Sequence, residues 1–150
     1  MQIRKFKPED QEEKKKVHRK AIIEIASEVY SEKQVDAWSD FSDYGGIEEE
    51  VKRWVAVEDD KLIGFSDYRP NESRVTGVYV HPDYTGQGIG SKLLEKVLED
   101  AENQGLTKLN SESSITAKEF YQKHGFEVVE EVEHETNGVE MKAFEMKKEL

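Results

Sequence analysis

Val78-Tyr79-Val80-His81-Pro82-Asp83-Tyr84-Thr85-Gly86-Gln87-Gly88-Ile89-Gly90-Ser91 passes from β-forming residues, through a proline and three alternate glycines, into a helical pattern. Proline closes the strand because it has no N–H to donate to a ladder. The glycines permit positive φ and let a ligand come close to the backbone. The helix that follows begins with unpaired N–H groups and a partial positive charge. Together these parts suit a phosphate or pyrophosphate. A packing turn would use the same glycines, so the loop alone leaves both readings open. The Walker loop is excluded, since no G-K-[ST] is present. A dinucleotide fingerprint needs G-x-G-x-x-G and a later acid at a strand end. Here the spacing is G-x-G-x-G, and the next strand, 106–110, ends without an acid.

The surroundings of this loop define an α/β (α+β mixed) chain. Upstream, 54–58 and 62–68 are apolar runs separated by Asp59-Asp60-Lys61, which predicts a hairpin. Pro70 and Asn71 mark a second turn, and 74–81 is a third strand with His81 at its end. Downstream, Ile89, Leu93, Leu94, Val97, Leu98 and Ala101 give one stripe of a helix over 88–104, closed by Gly105. A strand over 106–110 and a helix over 114–124 follow. Two strands, 126–136 and 139–148, are joined by Asn137-Gly138, a strong hairpin signal.

At the N-terminal side, 3–7 alternates as a strand and Pro8 permits a helix start. The pattern over 9–30 is helical, with Val17, Ala21, Ile22, Ile25 and Val29 on one face and Lys14-Lys15-Lys16 on the solvated side. A short helix is predicted over 32–38, a loop over 39–46, and one or two helical turns over 47–53. The order is β-α-α-β-β-β-α-β-α-β-β. It predicts a single domain over 1–150: a central mixed, mostly antiparallel sheet flanked by helices, with one βαβ unit at the glycine loop.

Composition narrows the chemistry. The 150 residues hold 33 acidic and 22 basic side chains, a net charge of −11, and no cysteine. The absence of cysteine excludes disulfides, thiolate metal sites and a cysteine nucleophile. The net charge disfavours nucleic acid and anionic membrane as partners. No run of about 18 apolar residues predicts a membrane span, and the charged stretch after Met1 to Phe6 is unlike a signal peptide. These features point to the cytoplasm. His18, His81, His124 and His134 are scattered without ligand spacing, so no metal is expected. Glu131, Glu133 and Glu135 recur every second residue, as one solvated strand face does. Acids are thinnest over 69–94, where Glu72 and Asp83 stand against Arg69, Arg74 and Lys92. They are dense at Asp36, Asp40, Asp43, Glu48, Glu49 and Glu50, which favours a cationic partner steered by charge.

Residues 79–90 resemble the acetyl-CoA loop of the GNAT superfamily of N-acetyltransferases. A second block, Ser114-x-x-Ala117-x-x-Phe120-Tyr121-x-Lys123-x-Gly125-Phe126, resembles the family in order, distance and context. The likeness runs from about Trp54 to the C-terminus. Thr85 stands where the family usually has Gln or Arg, Ser114 where Asn is frequent, and Leu109 where some members carry Glu.

The resemblance implies acetyl-CoA as cosubstrate and direct acetyl transfer to a primary amine of a small molecule or peptide. It implies that Val78, Tyr79 and Val80 pair with the pantetheine arm through their backbone. Gly86, Gln87, Gly88, Ile89, Gly90 and Ser91 would hold the pyrophosphate, and Ser114 would donate to the pantetheine. Tyr121 would be the hydrogen-bond donor or general acid for the leaving thiolate, although it also suits a core aromatic beside Phe120. Asp67 and Glu112 are the candidate bases, and both also read as solvated surface carboxylates. Tyr30 and Trp38, with Phe41 and Tyr44, are candidates for an acceptor lid; Trp38 equally suits an anchor to the sheet. Two alternatives stay open: an acyl-CoA-binding sensor or assembly protein of the same fold, and transfer of another short acyl group. A monomer and a homodimer both fit.

Overall fold

A computed structural model describes residues 1–26, 29–39, 51–136 and 138–150. Phe41, Tyr44, Asn137 and the acids at 40, 43 and 48–50 lie outside the described residues. Seven strands form one sheet: β1 (Gln2–Lys5), β2 (Lys52–Glu58), β3 (Lys61–Arg69), β4 (Arg74–Val80), β5 (Lys108–Ser114), β6 (Glu127–Thr136) and β7 (Val139–Glu149). Their spatial order is β1-β2-β3-β4-β5-β7-β6, and only β4 and β5 run parallel. The helices are α1 (Gln11–Ala26), α2 (Glu32–Ser39), α3 (Ile89–Asn103) and α4 (Lys118–Lys123). The mixed, mostly antiparallel sheet and the element order agree with the expectation from the sequence.

The stripe of α3 lands where its periodicity puts it. Leu93, Leu94, Val97 and Ala101 are fully buried against Trp54, Ile63, Tyr68 and Val75 of the sheet. Each such Leu or Val contributes about 1.5–3 kcal/mol by leaving water. On the opposite side, Val17 of α1 packs with Val55, Leu62 and Phe65. Ile22 joins Tyr30, Val35 and Met141 in a separate cluster. A capping box starts α2: Ser31 N–H donates to Gln34 Oε1 (3.0 Å) and Gln34 N–H to Ser31 Oγ (3.1 Å).

Four local expectations are corrected. Lys14 is not solvated: its side chain is 1% exposed and its Nζ lies 3.0 Å from Asp67 Oδ2. It falls three and seven residues before Val17 and Ala21, on the same face, and its counter-ion makes that burial tolerable. Val29 is half exposed, because α1 has already ended. Lys52 and Arg53 belong to β2, paired with Tyr68 and Asp67, and not to a helix.

The fourth correction concerns β5, which runs to Ser114 where a strand was expected only to residue 110, so Ser114 sits in a strand and α4 begins at Lys118. Its polar sequence, Asn110-Ser111-Glu112-Ser113-Ser114, hides a strand that β7 templates in full, from Lys108↔Glu149 to Ser114↔Ala143. The edge strand β6 exposes Glu131, Glu133 and Glu135, in keeping with a solvated face. No described helix is long and apolar enough to cross a membrane.

Buried phenols make the fold sensitive to alkali. Burial pushes Tyr30, Tyr79 and Tyr121 up, and burial with the Asp100 carboxylate pushes Tyr68 up. An unfolded tyrosine ionises near pH 10. The native state therefore holds protons that the unfolded chain has lost, and stability falls as pH rises above about 10. Lys14 acts oppositely: burial, only partly offset by Asp67, brings it down to about 8, so its contribution to stability rises with pH until about 10.5. The comparison thus belongs above that value. The urea midpoint is expected to fall between pH 10.5 and 11.5; an unchanged midpoint would refute this.

Candidate active site

The loop after β4 turns as its residues require. His81 Nδ1 accepts from Asp83 N–H at 3.1 Å and closes a single turn over Pro82–Tyr84. Thr85 Oγ1 donates back to Pro82 O at 3.1 Å. Gly86 and Gly88 both have φ of +78°, a conformation costly for any residue with a Cβ, and Gly88 caps α3. The first helical bond of this end runs from Lys92 N–H to Gly88 O at 3.1 Å. The N–H groups of Ile89, Gly90 and Ser91 therefore precede the helical ladder and are available to a ligand. A Cβ on Gly90 would stand 3.3 Å from the Phe120 ring, so glycine lets α3 and α4 close together.

Beside this helix start the sheet opens. One edge of β4 pairs with β3 as far as Gly64↔Val80. The other edge pairs with β5 at only two positions, Arg74↔Asn110 and Val75↔Ser111. Past Val75 the strands part, and residues 76–80 of β4 keep that edge without a strand partner among the described residues. A cavity of about 1060 Å³ fills the opening and runs from the α3–α4 side to the α1–α2 side.

The sequence-derived candidates distribute around it unevenly. Val78, Tyr79, Val80, Gly86, Gly88, Ile89, Gly90, Ser91, Ser114 and Tyr121 all line the cavity, as do Tyr30, Trp38 and Glu112. Gln87 is exposed and does not line it. Asp67 is elsewhere and is not a solvated surface acid: it is buried, 3.0 Å from Lys14 Nζ and 3.3 Å from Arg53 Nε. Ser114 Oγ lies 3.0 Å from Thr116 Oγ1 and accepts from Ala117 N–H at 3.2 Å, so it is partly engaged in the turn into α4.

Two tyrosines meet at the opening. Tyr121, from α4, is held edge-on by Phe120 and Phe126, with ring centroids 5.4 and 5.2 Å away. Burial pushes its pKa up, and the Ser111 hydroxyl opposes that shift. Tyr79, from β4, is pushed up by burial and by neighbouring Tyr121, against a hydrogen bond from the Trp38 side chain. Both phenols therefore stay protonated at neutral pH and can donate. Trp38 stands edge-on to Tyr30 at 5.7 Å and forms part of the wall as well as an anchor for α2. The Tyr30 hydroxyl is already engaged: it donates to Lys142 O at 3.0 Å and accepts from Ile115 N–H at 2.8 Å. Its hydroxyl is thus spent on the backbone while the residue lines the cavity.

Two cavity-lining pairs escaped the sequence reading. Ser91 Oγ lies 2.9 Å from His124 Nε2, at the start of α3. His134 Nδ1 lies 2.7 Å from Glu112 Oε1, across the β6–β7 hairpin. Each joins residues 22 or more apart in the chain, and no local spacing marks them.

A sheet parted beside a glycine-turned helix start is the frame of the acyltransferases that the sequence resembles. The model of one family, described as the acetyltransferase (GNAT) domain, matches residues 26–150. The chain belongs to the GNAT acetyltransferase family and is an N-acyltransferase. It is 29% identical over 149 residues to a relative named as the uncharacterized N-acetyltransferase YafP of Escherichia coli, covering 98% of this chain and 95% of that one. The crystal structure of a GCN5-related N-acetyltransferase from Rhodopseudomonas palustris superposes with a TM-score of 0.93 at 25% identity, over 99% of this chain and 95% of that one. The PaiA N-acetyltransferase from Thermoplasma acidophilum, in complex with coenzyme A, shares the fold at a TM-score of 0.80 and 24% identity, over 99% and 98% of the two chains.

Proposed function

We propose that this enzyme moves an acetyl group from acetyl-CoA directly to a primary amine of a small molecule or peptide, in the cytoplasm. The observation that carries this reading is that the free β4 edge, the unpaired N–H groups opening α3 and the Tyr121 hydroxyl all meet one cavity. The residues fit an extended, phosphorylated carrier. A Cβ at Gly86 or Gly88 would project into open space, so the cradle is clear of protein atoms there. The peptide groups of 76–80 offer donors and acceptors to an extended arm. When bound, acetyl-CoA supplies the acyl thioester.

The side chains then divide the work. Backbone N–H groups of Ile89, Gly90 and Ser91 hold pyrophosphate. Gln87, directed to solvent, adds at most an outer contact. Val78 to Val80 align the arm as an added strand, and Ser114 borders it. Tyr121 directs its proton to the sulfur. The acceptor enters on the α1–α2 side, past the rings of Tyr30 and Trp38. Holding amine and carbonyl together removes much of the entropic barrier.

Incubation with acetyl-CoA and a panel of primary amines is expected to release free thiol with at least one of them. Calorimetric binding of acetyl-CoA without thiol release from any amine would favour the acyl-CoA-binding alternative. Thiol release from succinyl- or propionyl-CoA, and not from acetyl-CoA, would change the acyl group. No binding of any of these would defeat the reading.

A further inference from the structure

One pair lining the cavity has no part in the roles above: Glu112 and His134. Glu112 is the first β5 residue past the last β4–β5 partners, Val75↔Ser111, so it stands where the two strands part. Its neighbours Ser111 and Ser113 are buried, and Ser111 touches the Tyr121 phenol. Alternation along a strand turns Glu112 to the opposite face. His134 comes to that face from β6. It lies across from Met141 of β7, and Met141 packs with Ile22, Tyr30 and Val35 beneath α1 and α2. The imidazole Nδ1 is 2.7 Å from Glu112 Oε1. Tyr121 and the Glu112–His134 pair therefore face one opening from its two sides.

This placement has a chemical consequence. An alkyl amine is protonated at neutral pH, and its lone pair must be freed before it can attack a carbonyl, at a cost of about 4 kcal/mol. Glu112, an acceptor, fixes the neutral imidazole as the tautomer with its proton on Nδ1, and leaves the Nε2 lone pair open. We propose that His134, oriented by Glu112, is the proton acceptor for the substrate amine. The N–H bond of the amine breaks as the Nε2–H bond forms, and the Nδ1 proton stays on the ring beside Glu112. The His134 and Glu112 side chains are 51% and 32% exposed, so water can then carry the proton away from Nε2. The inference rests on the reading of the chain as an amine acyltransferase.

Further titratable groups line the cavity, among them Glu119, Lys123 and His124 on the α4 side. Glu135 lines the same cavity. Lys142 Nζ is tied to Glu131 at 2.7 Å, and Arg74 to Glu145 at 2.7 Å. From the α1–α2 side the lining residues are Ala21, Ile22, Tyr30 and Trp38, of which only Tyr30 titrates, and burial keeps its proton on.

The test uses the full chain with acetyl-CoA and whichever amine releases most thiol. His134→Gln is expected to lower kcat/KM by about 10²-fold, the usual scale of a lost general base. It should also abolish the acidic limb of the wild-type pH profile and leave acetyl-CoA affinity within threefold. His134→Ala is expected to regain at least tenfold of its lost rate when imidazole is added, which a packing role would not produce. Glu112→Gln should lower kcat and keep the acidic limb, since the imidazole remains. The proposal is overturned if His134→Ala keeps kcat/KM within twofold of wild type, or if its defect ignores imidazole while the acidic limb stays in place. Wild-type thiol release and a defective Tyr121→Phe beside an unaffected His134→Ala would remove the base and leave the transferase standing. No thiol release by the wild type would remove both.

Discussion

Tyr121→Phe is expected to lower kcat by about 10²-fold, at the lower end of what a lost general acid costs, while the Kd for acetyl-CoA stays within threefold. The substitution removes one oxygen and keeps the ring, so the edge contacts to Phe120 and Phe126 survive. The effect should therefore appear in turnover and not in stability. Its size is bounded by acidity. A phenol near pH 10 is a weaker acid than a thiol near 8.5, so full proton transfer in water runs uphill by about 2 kcal/mol. Burial pushes Tyr121 further up and Ser111 opposes it. In the proposed reaction the hydroxyl would thus work chiefly as a donor to charge building on sulfur, strongest where water is excluded. Steady-state rates within twofold of wild type would refute the role.

Asp67→Ala is expected to destabilise the fold by about 3–5 kcal/mol, measured by urea denaturation at pH 7. The carboxylate is the shared partner of buried Lys14 and of Arg53. Without it, Lys14, already brought down to about 8 by its burial, loses the group that most holds its proton on. Lys14→Met in the same background should restore part of the loss, since it removes the stranded charge. The rate of the folded fraction should stay within threefold of wild type, because Asp67 does not line the cavity. Unchanged stability with a hundredfold lower rate would return Asp67 to the role of base.

The two candidate acids show how far local sequence reaches. Asp67 lies in the apolar run 62–68 and Glu112 in the polar stretch 110–114, and neither setting says which acid meets a cation and which meets an opening. The structure puts one against Lys14 of α1, 53 residues earlier in the chain, and the other at the parted strands. Lys14 itself was hidden by its run of three lysines, in which the charge pattern suggested solvent and the helical spacing alone pointed inward. Five polar residues do not alternate visibly between apolar and polar, so local sequence alone puts Ser114 in a helix. Its strand exists because β7 pairs with all of β5.

What the sequence determined by itself was local. Gly86 and Gly88 are glycines because the loop needs positive φ, and the α3 stripe repeats at the helical period, so strand, glycine turn and helix start follow from neighbouring residues alone. Tyr121 came from the resemblance of the second block, since its own neighbours suit a core aromatic equally. Only the tertiary structure decided where β4 and β5 separate, which acid stands at that point, and that His134 of the distant hairpin reaches it at 2.7 Å. Those relations depend on register between strands far apart in sequence. A shift of one residue would turn Glu112 to the other face, and no short-range pattern records that choice.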